Sequence, residues 1–138
     1  PALIAVGTTS LRTLESLYWI ALKLHSGREE FSLSQWEAYE MDDHNLSFRN
    51  CMIGLHKYML KTGKTTLHCN TSLLIIPGYR FRSAEGLITN FHQPRSTLLL
   101  LIAAFVGDDW KKIYEHALEH NYRFLSYGDS SLLWKKGS

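Results

Sequence analysis

Apolar and polar positions in the first part of the chain predict a strand followed by a long helix. Residues 3–6 form a short apolar run, which is typical of a strand. From Leu11 onward the apolar residues recur mostly at steps of three and four, the spacing of a helix, and Gly27 is expected to end it. The polar turn at 7–10 joins the two elements. Such a strand–glycine loop–helix unit can aim N–H groups at an anion, although it also serves as a plain connection.

The middle of the chain predicts a second helix and several short strands. The helix is expected at 48–61, with Ser47 as its amino-terminal cap and Gly63 near its end. Its predicted inward residues are Met52, Ile53, Leu55, Met59 and Leu60. Short apolar or alternating runs predict strands at 36–39, 66–70, 73–76, 79–82, 122–127 and 132–134. Arg80 and Arg82 share one face of their run, where they could meet phosphate or carboxylate or only keep the surface soluble.

The stretch 87–107 has the sharpest change from polar to apolar residues. A strand end at Leu87 and Ile88 is followed by a bend that holds six polar residues: Thr89, Asn90, His92, Arg95, Ser96 and Thr97. Pro94 disfavours helix just before it, and Ser96 can cap a helix at 98–106. That helix is apolar on every side, so we expect it to be buried, with its amino end held rigidly inside the protein. Gly107 is the expected stop.

A last helix is predicted at 109–120, with Asp108 as its cap. The residues expected to face inward are Trp110, Ile113, Tyr114, Ala117 and Leu118. Strands and helices alternate along the chain, so the predicted class is α/β, with a mixed or mainly parallel, partly barrel-like sheet and flanking helices. The length of 138 residues suits one domain, spanning 1–138.

Composition limits the function classes. A hydrophobic content of 45% and a charged content of 20% are those of a soluble globular protein, and no apolar run approaches the ~20 residues of a membrane span. The net charge of +2 is weak, and basic pairs occur only at Lys111–Lys112 and Lys135–Lys136, so composition does not indicate a nucleic-acid partner. The chain begins without Met and inside an apolar run, from which we expect a piece of a larger protein.

Motifs for metal or phosphate are weak. Cys51 and Cys69 lack metal-ligand spacing and are expected to be reduced thiols, with a disulfide as the alternative. The run 42–44 is expected to be a solvated turn, and the pair His116 and His120, although spaced for zinc, lacks an HExxH pattern. The run 63–66 suggests a phosphate loop, but Tyr58 stands where that motif needs glycine.

Four ordered blocks resemble one known family. They are 4–15 (IAVGTTSLRTLE), 76–81 (IPGYRF), 89–99 (TNFHQPRSTLL) and 122–129 (YRFLSYGD). Together they resemble the S-adenosylmethionine:tRNA ribosyltransferase-isomerases of queuosine biosynthesis, of which this chain would be the carboxy-terminal part. The segment 26–72 is unmatched and expanded, and could pack locally or contact tRNA. Gln93, Arg95 and Leu125 stand where the family commonly has leucine, lysine and phenylalanine.

The resemblance implies a specific reaction. The ribosyl group of S-adenosylmethionine is transferred to 7-aminomethyl-7-deazaguanine at the tRNA wobble position and isomerised, which gives epoxyqueuosine-tRNA and releases adenine and methionine. The implied partners are tRNA and S-adenosylmethionine, the latter as a co-substrate, with no cofactor, no metal and no membrane. A cytoplasmic monomer is expected. The alternative is a non-catalytic nucleotide- or tRNA-binding module on the same fold.

The matched blocks supply the candidate site residues. His92 and Asp129 are the two candidates for the base that removes a proton beside the sulfonium, and each could instead be structural: His92 a hydrogen-bonding histidine, Asp129 a turn aspartate. Arg12 and Arg95 are candidates for gripping a carboxylate or phosphate. The remaining candidate substrate contacts are Thr8, Thr9, Thr89, Asn90, Ser96, Thr97 and Tyr127.

Overall fold

The computed structural model describes residues 2–90, 97–120 and 130–136. In chain order, its strands and α-helices are β1 (Ile4–Val6), α1 (Thr8–His25), β2 (Ser32–Leu33), α2 (Phe48–Thr62), β3 (Asn70–Thr71), β4 (Gly86–Asn90), α3 (Thr97–Val106), α4 (Trp110–Glu119) and β5 (Ser130–Trp134). Short 3₁₀ helices lie at Glu37–Tyr39 and Gly107–Asp109. The chain divides into two compact units, Pro1–Arg12 with Leu74–Ser138, and Thr13–Leu73.

A mixed three-stranded sheet forms the centre of the first unit. β4 is the middle strand, parallel to β1 and antiparallel to β5. Ala5, Leu87 and Leu133 are aligned across the three strands and point into the core, where each is buried. The predicted α/β class with a mixed sheet and flanking helices is therefore confirmed.

The opposite face of this sheet is apolar and exposed. It carries Ile4, Val6, Ile88, Leu132 and Trp134, which are between 37% and 66% exposed. Gly86 stands between Ile4 and Trp134, and a Cβ at Gly86 would lie only 3.1 Å from the Trp134 ring. The glycine therefore leaves room for the indole to lie over β4.

The second unit is organised around the body of α1. Tyr18, Trp19, Ile20 and Leu22 are fully buried, and β2 pairs in parallel with β3. Lys23 is buried as well. Its Nζ donates to Glu30 Oε1 at 2.9 Å and to the Ser32 carbonyl at 2.6 Å, and it lies 2.8 Å from Glu37 Oε1. One lysine thus links α1 to the polar segment that follows it.

The predicted caps of α2 are confirmed. The Ser47 hydroxyl accepts a hydrogen bond from the Asn50 N–H at 3.1 Å, and Gly63 takes a left-handed conformation with φ of 69°. The predicted inward set is only partly right, because Leu55 is buried but Ile53 and Leu60 are exposed. A helix with one buried stripe, formed here by Cys51 and Leu55, leaves the neighbouring apolar positions on its solvent side.

α3 is buried along its body but not at its amino end. Leu101, Ile102 and Phe105 are buried, whereas Thr97 and Leu100 are exposed. The expectation that the amino end is enclosed is wrong for the described first turn, because Leu98 lines an open cleft there. Gly107 ends the helix with φ of 71°, as predicted.

Several strand predictions are wrong. Residues 36–39 contain a 3₁₀ helix, only Asn70 of the run 66–70 belongs to a strand, and the runs 73–76 and 79–82 form none. Their alternation is nevertheless present, since Leu73, Ile75, Tyr79 and Phe81 are buried. Alternating burial does not require a hydrogen-bonded partner strand. The pattern therefore predicted which side chains are buried but not whether the backbone pairs with another strand.

The helix predicted at 109–120 begins one residue later, because Asp108 lies in the preceding 3₁₀ turn instead of capping the helix. Tyr114 is buried as expected, whereas Leu118 is exposed. The predicted strand 122–127 and the Ala117 side chain lie outside the described residues. In the described part of the chain, no helix combines the length and apolarity that a membrane span requires.

Candidate functional site

A cleft of about 460 Å³ opens at the edge of the sheet where β1 and β4 end. We call it the edge cleft. It is lined by Val6, Gly7, Thr8, Thr9, Ser10, Ile88, Thr89, Asn90, Leu98 and Ser130. Its walls thus come from the ends of two parallel strands, the starts of α1 and α3, and the first residue of β5. Ligands of α/β proteins commonly bind at this edge of a sheet.

The glycine turn fixes the first wall of the edge cleft. Gly7 takes φ of 92°, and its N–H donates to the Ile88 carbonyl at 2.7 Å, which continues the pairing of β1 with β4 by one residue. α1 then begins at once, and the Leu11 N–H bonds to the Gly7 carbonyl at 3.2 Å. The first N–H groups of a helix have no partner inside the helix. Thr8, Thr9 and Ser10, which carry such groups, all line the cleft.

Hydroxyl and amide groups form the polar part of the lining. Thr8 and Thr89 are buried, whereas Thr9 and Ser10 are exposed. The Ser130 hydroxyl donates to Asn90 Oδ1 at 2.8 Å, and this bond orients the Asn90 carboxamide across the pair formed by β4 and β5. Sequence reasoning did not single out Ser130. Its position next to Asp129, in the last matched block, is the signal that could have found it.

The described lining carries no charged side chain. Valine, isoleucine and leucine provide its apolar part, and threonine, serine and asparagine its polar part. Such a surface can form hydrogen bonds with a ligand. A cationic ligand would meet no arginine or lysine side chain of this described lining.

The candidate residues are only partly brought together. Thr8, Thr9, Thr89 and Asn90 line the edge cleft. Arg12 is exposed one turn further along α1, and Thr97 is exposed at the start of α3; neither lines the cleft. The remaining candidates lie outside the described residues: His92, Arg95, Ser96, Tyr127 and Asp129.

A second, larger cleft lies at the opposite end of α3. Its volume is about 850 Å³, and we call it the basic cleft. It is lined by Pro77, Gly78, Tyr79, Arg80, Phe81, Ala103, Ala104, Phe105, Gly107, Asp108, Trp110, Lys135 and Lys136. The matched block 76–81 therefore borders this cleft and not the edge cleft.

The metal and phosphate-loop motifs have structural explanations. Among residues 2–90, 97–120 and 130–136, no group of three or more His, Cys, Asp or Glu side chains could hold a metal ion. Both cysteines are free thiols. Lys64 follows the end of α2, and its Nζ lies 5.3 Å from the Phe31 ring centroid and 5.4 Å from that of Tyr58, so it belongs to a helix end packed on aromatic rings.

Comparison with known proteins identifies relatives at two levels of similarity. A protein named S-adenosylmethionine:tRNA ribosyltransferase-isomerase from Mesorhizobium japonicum is 39% identical over 134 residues, which is 96% of this chain and 26% of the relative. A protein of the same name from Phenylobacterium zucineum is 61% identical over 66 residues, which is 47% of this chain and 18% of the relative. The chain therefore spans about a quarter or less of the length of these relatives.

A solved structure resembles the fold. The crystal structure of S-adenosylmethionine tRNA ribosyltransferase from Thermotoga maritima matches 95% of this chain and 32% of that protein, with a TM-score of 0.55 and 29% sequence identity. The sequence model of the family described as queuosine biosynthesis protein matches residues 2–133. Since this match covers nearly the whole chain, the chain belongs to the queuosine biosynthesis protein family.

Proposed function

We propose that this chain forms part of an enzyme that transfers and isomerises the ribosyl group of S-adenosylmethionine on tRNA. The acceptor is 7-aminomethyl-7-deazaguanine at the wobble position, the product is epoxyqueuosine-tRNA, and adenine and methionine are released. The observation that carries the proposal is the edge cleft, in which residues of the block 4–15 and of the block 89–99 meet.

The edge cleft suits a sulfonium ligand in its charge. S-adenosylmethionine has a positive sulfur, and the described lining offers hydroxyl and amide groups with no lysine or arginine. A fixed cation close to the sulfonium would cost binding free energy, so the neutral side chains of the described lining are compatible with this ligand class. The ribose hydroxyls can pair with the side chains of Thr8, Thr9, Thr89 and Asn90.

The reaction also needs donors for the groups that gain electrons. The departing adenine and the sugar oxygens become richer in negative charge as their bonds change, and fixed donors stabilise such charge. The amino end of α1 supplies N–H groups at the cleft that can donate to these nitrogen and oxygen atoms. Apolar Val6, Ile88 and Leu98 provide a surface against which a bound substrate can pack and so exclude water.

A base must remove the proton from the carbon beside the sulfur. We propose His92 first and Asp129 second. In the sequence, His92 is two positions after Asn90, and Asp129 immediately precedes Ser130; Asn90 and Ser130 both line the edge cleft. Imidazole titrates near neutral pH and needs no large pKa shift to act, whereas a carboxylate needs desolvation to become a strong enough base.

Activity can be tested by grafting this chain into its Mesorhizobium japonicum relative in place of the matching segment. The graft is incubated with S-adenosylmethionine and tRNA that contains 7-aminomethyl-7-deazaguanine, and released adenine is measured by chromatography. We expect adenine release with tRNA present and none without it. Tight binding of both substrates without adenine would favour the non-catalytic binding module.

The role of the edge cleft is tested by Thr89→Val, which keeps the side-chain shape and removes the buried hydroxyl. Loss of one neutral hydrogen bond should lower kcat/KM for S-adenosylmethionine by about tenfold. Thr13→Val is the matched control, because Thr13 is exposed on α1 and does not line the cleft. Equal effects of the two changes would contradict the assignment of the cleft.

The base is tested by His92→Ala and Asp129→Asn in the same graft. The variant that removes the base should lose at least a hundredfold in kcat while it still binds S-adenosylmethionine. Near-normal turnover in both variants would show that neither residue is the base.

A further inference from the structure

The basic cleft gathers cations that are dispersed in the sequence. Lys135 and Lys136 line it directly, and so does the exposed Arg80. Lys111 approaches from α4, with its Nζ 5.9 Å from the ring centroid of Trp110, which is also part of the lining. The chain has little net charge, but Arg80 and the pair Lys135–Lys136 meet in this one place.

The backbone holds the two lysines of the lining in place. After β5 ends, the Lys135 N–H donates to the Glu85 carbonyl and the Lys136 N–H to the Phe105 carbonyl, both at 2.8 Å. The stem of Lys136 then crosses Gly107, where a Cβ would lie 2.6 Å from Lys136 Cδ. A residue with a side chain would displace the lysine, so Gly107 serves both the end of α3 and the placement of this cation.

The lining combines positive charge with an aromatic surface. Arg80, Lys135 and Lys136 stand against one carboxylate, Asp108, among the described lining residues. Trp110 is half-buried and offers part of its indole to the cleft. Cations that meet phosphates, together with an aromatic ring that stacks on a base, are the usual means of binding single-stranded nucleic acid.

We propose that the basic cleft binds the sugar–phosphate backbone of RNA, with one base stacked on Trp110. This inference rests on the proposed function, in which the RNA is the substrate tRNA. On α3, Leu98 of the edge cleft and Ala103 to Phe105 of the basic cleft are five to seven residues apart, which is about 8–11 Å along the helix axis. The tRNA would therefore be held at one end of α3 while its modified base reacts at the other.

A second cationic surface serves as the comparison. The exposed side of α2 carries Arg49, Lys57 and Lys61, none of which forms an ion pair with a described residue. A hollow on this side of α2 is lined by Phe48, Arg49, Met52, Ile53, His56, Lys57 and Leu60, and the surface that it exposes is almost wholly apolar. It therefore offers a phosphate little polar surface, and the basic cleft, with three cations and a tryptophan, is the better fit to an RNA strand.

The test measures the affinity of the 138-residue chain for a labelled tRNA transcript between 50 and 200 mM KCl. Lys135→Gln combined with Lys136→Gln should weaken binding by about tenfold or more at low salt. It should also reduce the slope of log affinity against log salt by roughly 0.7 to 0.9 for each phosphate that the variant no longer neutralises. Lys57→Gln combined with Lys61→Gln removes the same charge from α2 and should change affinity less than twofold.

Trp110→Leu separates stacking from charge. It should weaken tRNA binding by about tenfold while leaving the salt slope unchanged. Circular dichroism of each variant verifies folding, and Arg80→Gln provides an independent neutralisation should the lysine pair prove unstable. Inorganic phosphate and adenosine monophosphate, added as competitors, should displace tRNA only weakly, because they offer single phosphates in place of a backbone.

The outcomes separate this inference from the proposed function. Unchanged tRNA affinity in the Lys135/Lys136 and Trp110 variants, an equal loss in the α2 pair, or full displacement by adenosine monophosphate would overturn the RNA assignment of the basic cleft. Adenine release by the graft is measured independently. No adenine release would overturn the proposed reaction. A loss of tRNA binding confined to the variants of the basic cleft would still support RNA binding there.

Discussion

Cys51 lies on the buried side of α2, and its surroundings determine its chemistry. Burial raises the pKa of its thiol, and the negative charge of Asp43 adds to the effect, so that the pKa reaches about 11. Burial also raises the pKa of Cys69. Because only the thiolate is a good nucleophile, both residues are expected to be poor targets for modification in the folded protein.

Alkylation with iodoacetamide tests this expectation. At pH 8 we expect Cys51 to remain unmodified in the folded chain and to react fully in urea, as followed by mass spectrometry. A raised pKa favours the neutral thiol of the folded state, so its contribution to stability is present below pH 9.0 and is lost as the pH rises toward 11. Rapid labelling of folded Cys51 at pH 8 would contradict the buried environment.

At the scale of single residues, the sequence predicted much of the edge cleft. Thr8, Thr9, Thr89 and Asn90 belong to recognisable blocks and do line one cleft. Arg12 was grouped with them because it lies in the same block, but a helix turns by 100° per residue, and Arg12 does not line the cleft. Block membership indicates which segments meet, whereas the direction of each side chain depends on where the helix begins.

The polar segment after α1 depends on the buried Lys23. The hydrogen bond from Lys23, followed by that from Arg28, lowers the pKa of Glu30. Burial raises the pKa of Glu37, but hydrogen bonds from Lys23 and from the Ser34 N–H outweigh it, so the pKa of Glu37 is also lowered. Nothing in the sequence pattern indicated this arrangement, because a lysine in the last turn of a helix is ordinarily solvated.

Lys23→Met should therefore lower the free energy of unfolding by about 1–3 kcal/mol at pH 7, since Glu37 and the Ser32 carbonyl lose their buried partner. A carboxylate with a lowered pKa stabilises the fold above its ordinary value of 4.5 and loses that contribution as the pH falls. The difference between wild type and variant should accordingly shrink below pH 4.5 in urea titrations. Lys61→Met, at an exposed position, is the control and should stay within about 0.5 kcal/mol.

Replacing a glycine by alanine should have opposite effects on stability at two positions, Gly107 and Gly54. Gly107→Ala should lower the free energy of unfolding by about 1–2 kcal/mol, because its φ of 71° is left-handed and its Cβ would meet Lys136. Gly54→Ala should raise it by about 0.5–1 kcal/mol, because Gly54 lies inside α2 and a Cβ there has open space. Thermal unfolding measures both. Equal changes in the free energy of unfolding would mean that the backbone conformation at the glycine does not determine the effect of alanine.

Helix ends were predicted better than short strands. Ser47, Gly63 and Gly107 have local chemistry that fixes a boundary, and each occupies the expected place. The runs 73–76 and 79–82 have strand-like alternation, but a strand also needs a partner at the correct distance and register. That partner is set by the whole fold and cannot be read from a run of four residues.

At the scale of the whole molecule, the exposed apolar face of the sheet is the most unusual surface. Neighbouring apolar side chains on one face promote association, whereas isolated ones are ordinary. Ile4→Thr combined with Leu132→Thr should reduce binding of an apolar fluorescent dye and reduce self-association in sedimentation. The unfolding midpoint should change little, because threonine suits a strand. Leu118→Thr, at an isolated exposed position on α4, is the control and should leave dye binding unchanged.

The α/β class, the family and much of the edge cleft followed from the sequence, whereas the basic cleft did not. Periodicity predicted α1 and α2, and a capped apolar run predicted α3, with small errors at their ends; the four blocks indicated the ancestry. The basic cleft depends on bringing Arg80 and Lys135 together across 55 positions of sequence. Only the tertiary structure brings these cations together, so the weak net charge of the sequence did not indicate a basic cleft.

The hydrogen bond from the Gly7 N–H to the Ile88 carbonyl ties the first turn of α1 to the central strand. Two walls of the edge cleft therefore move as one piece, and a ligand that needs more room cannot obtain it by parting β1 from β4. β5 is held in the same way by its pairing with β4 and by the Ser130–Asn90 hydrogen bond, so any adjustment to an incoming molecule must come from the side of α3. The strand side of the cleft is therefore fixed, and selectivity among ligands should change most with substitutions at Leu98 on α3.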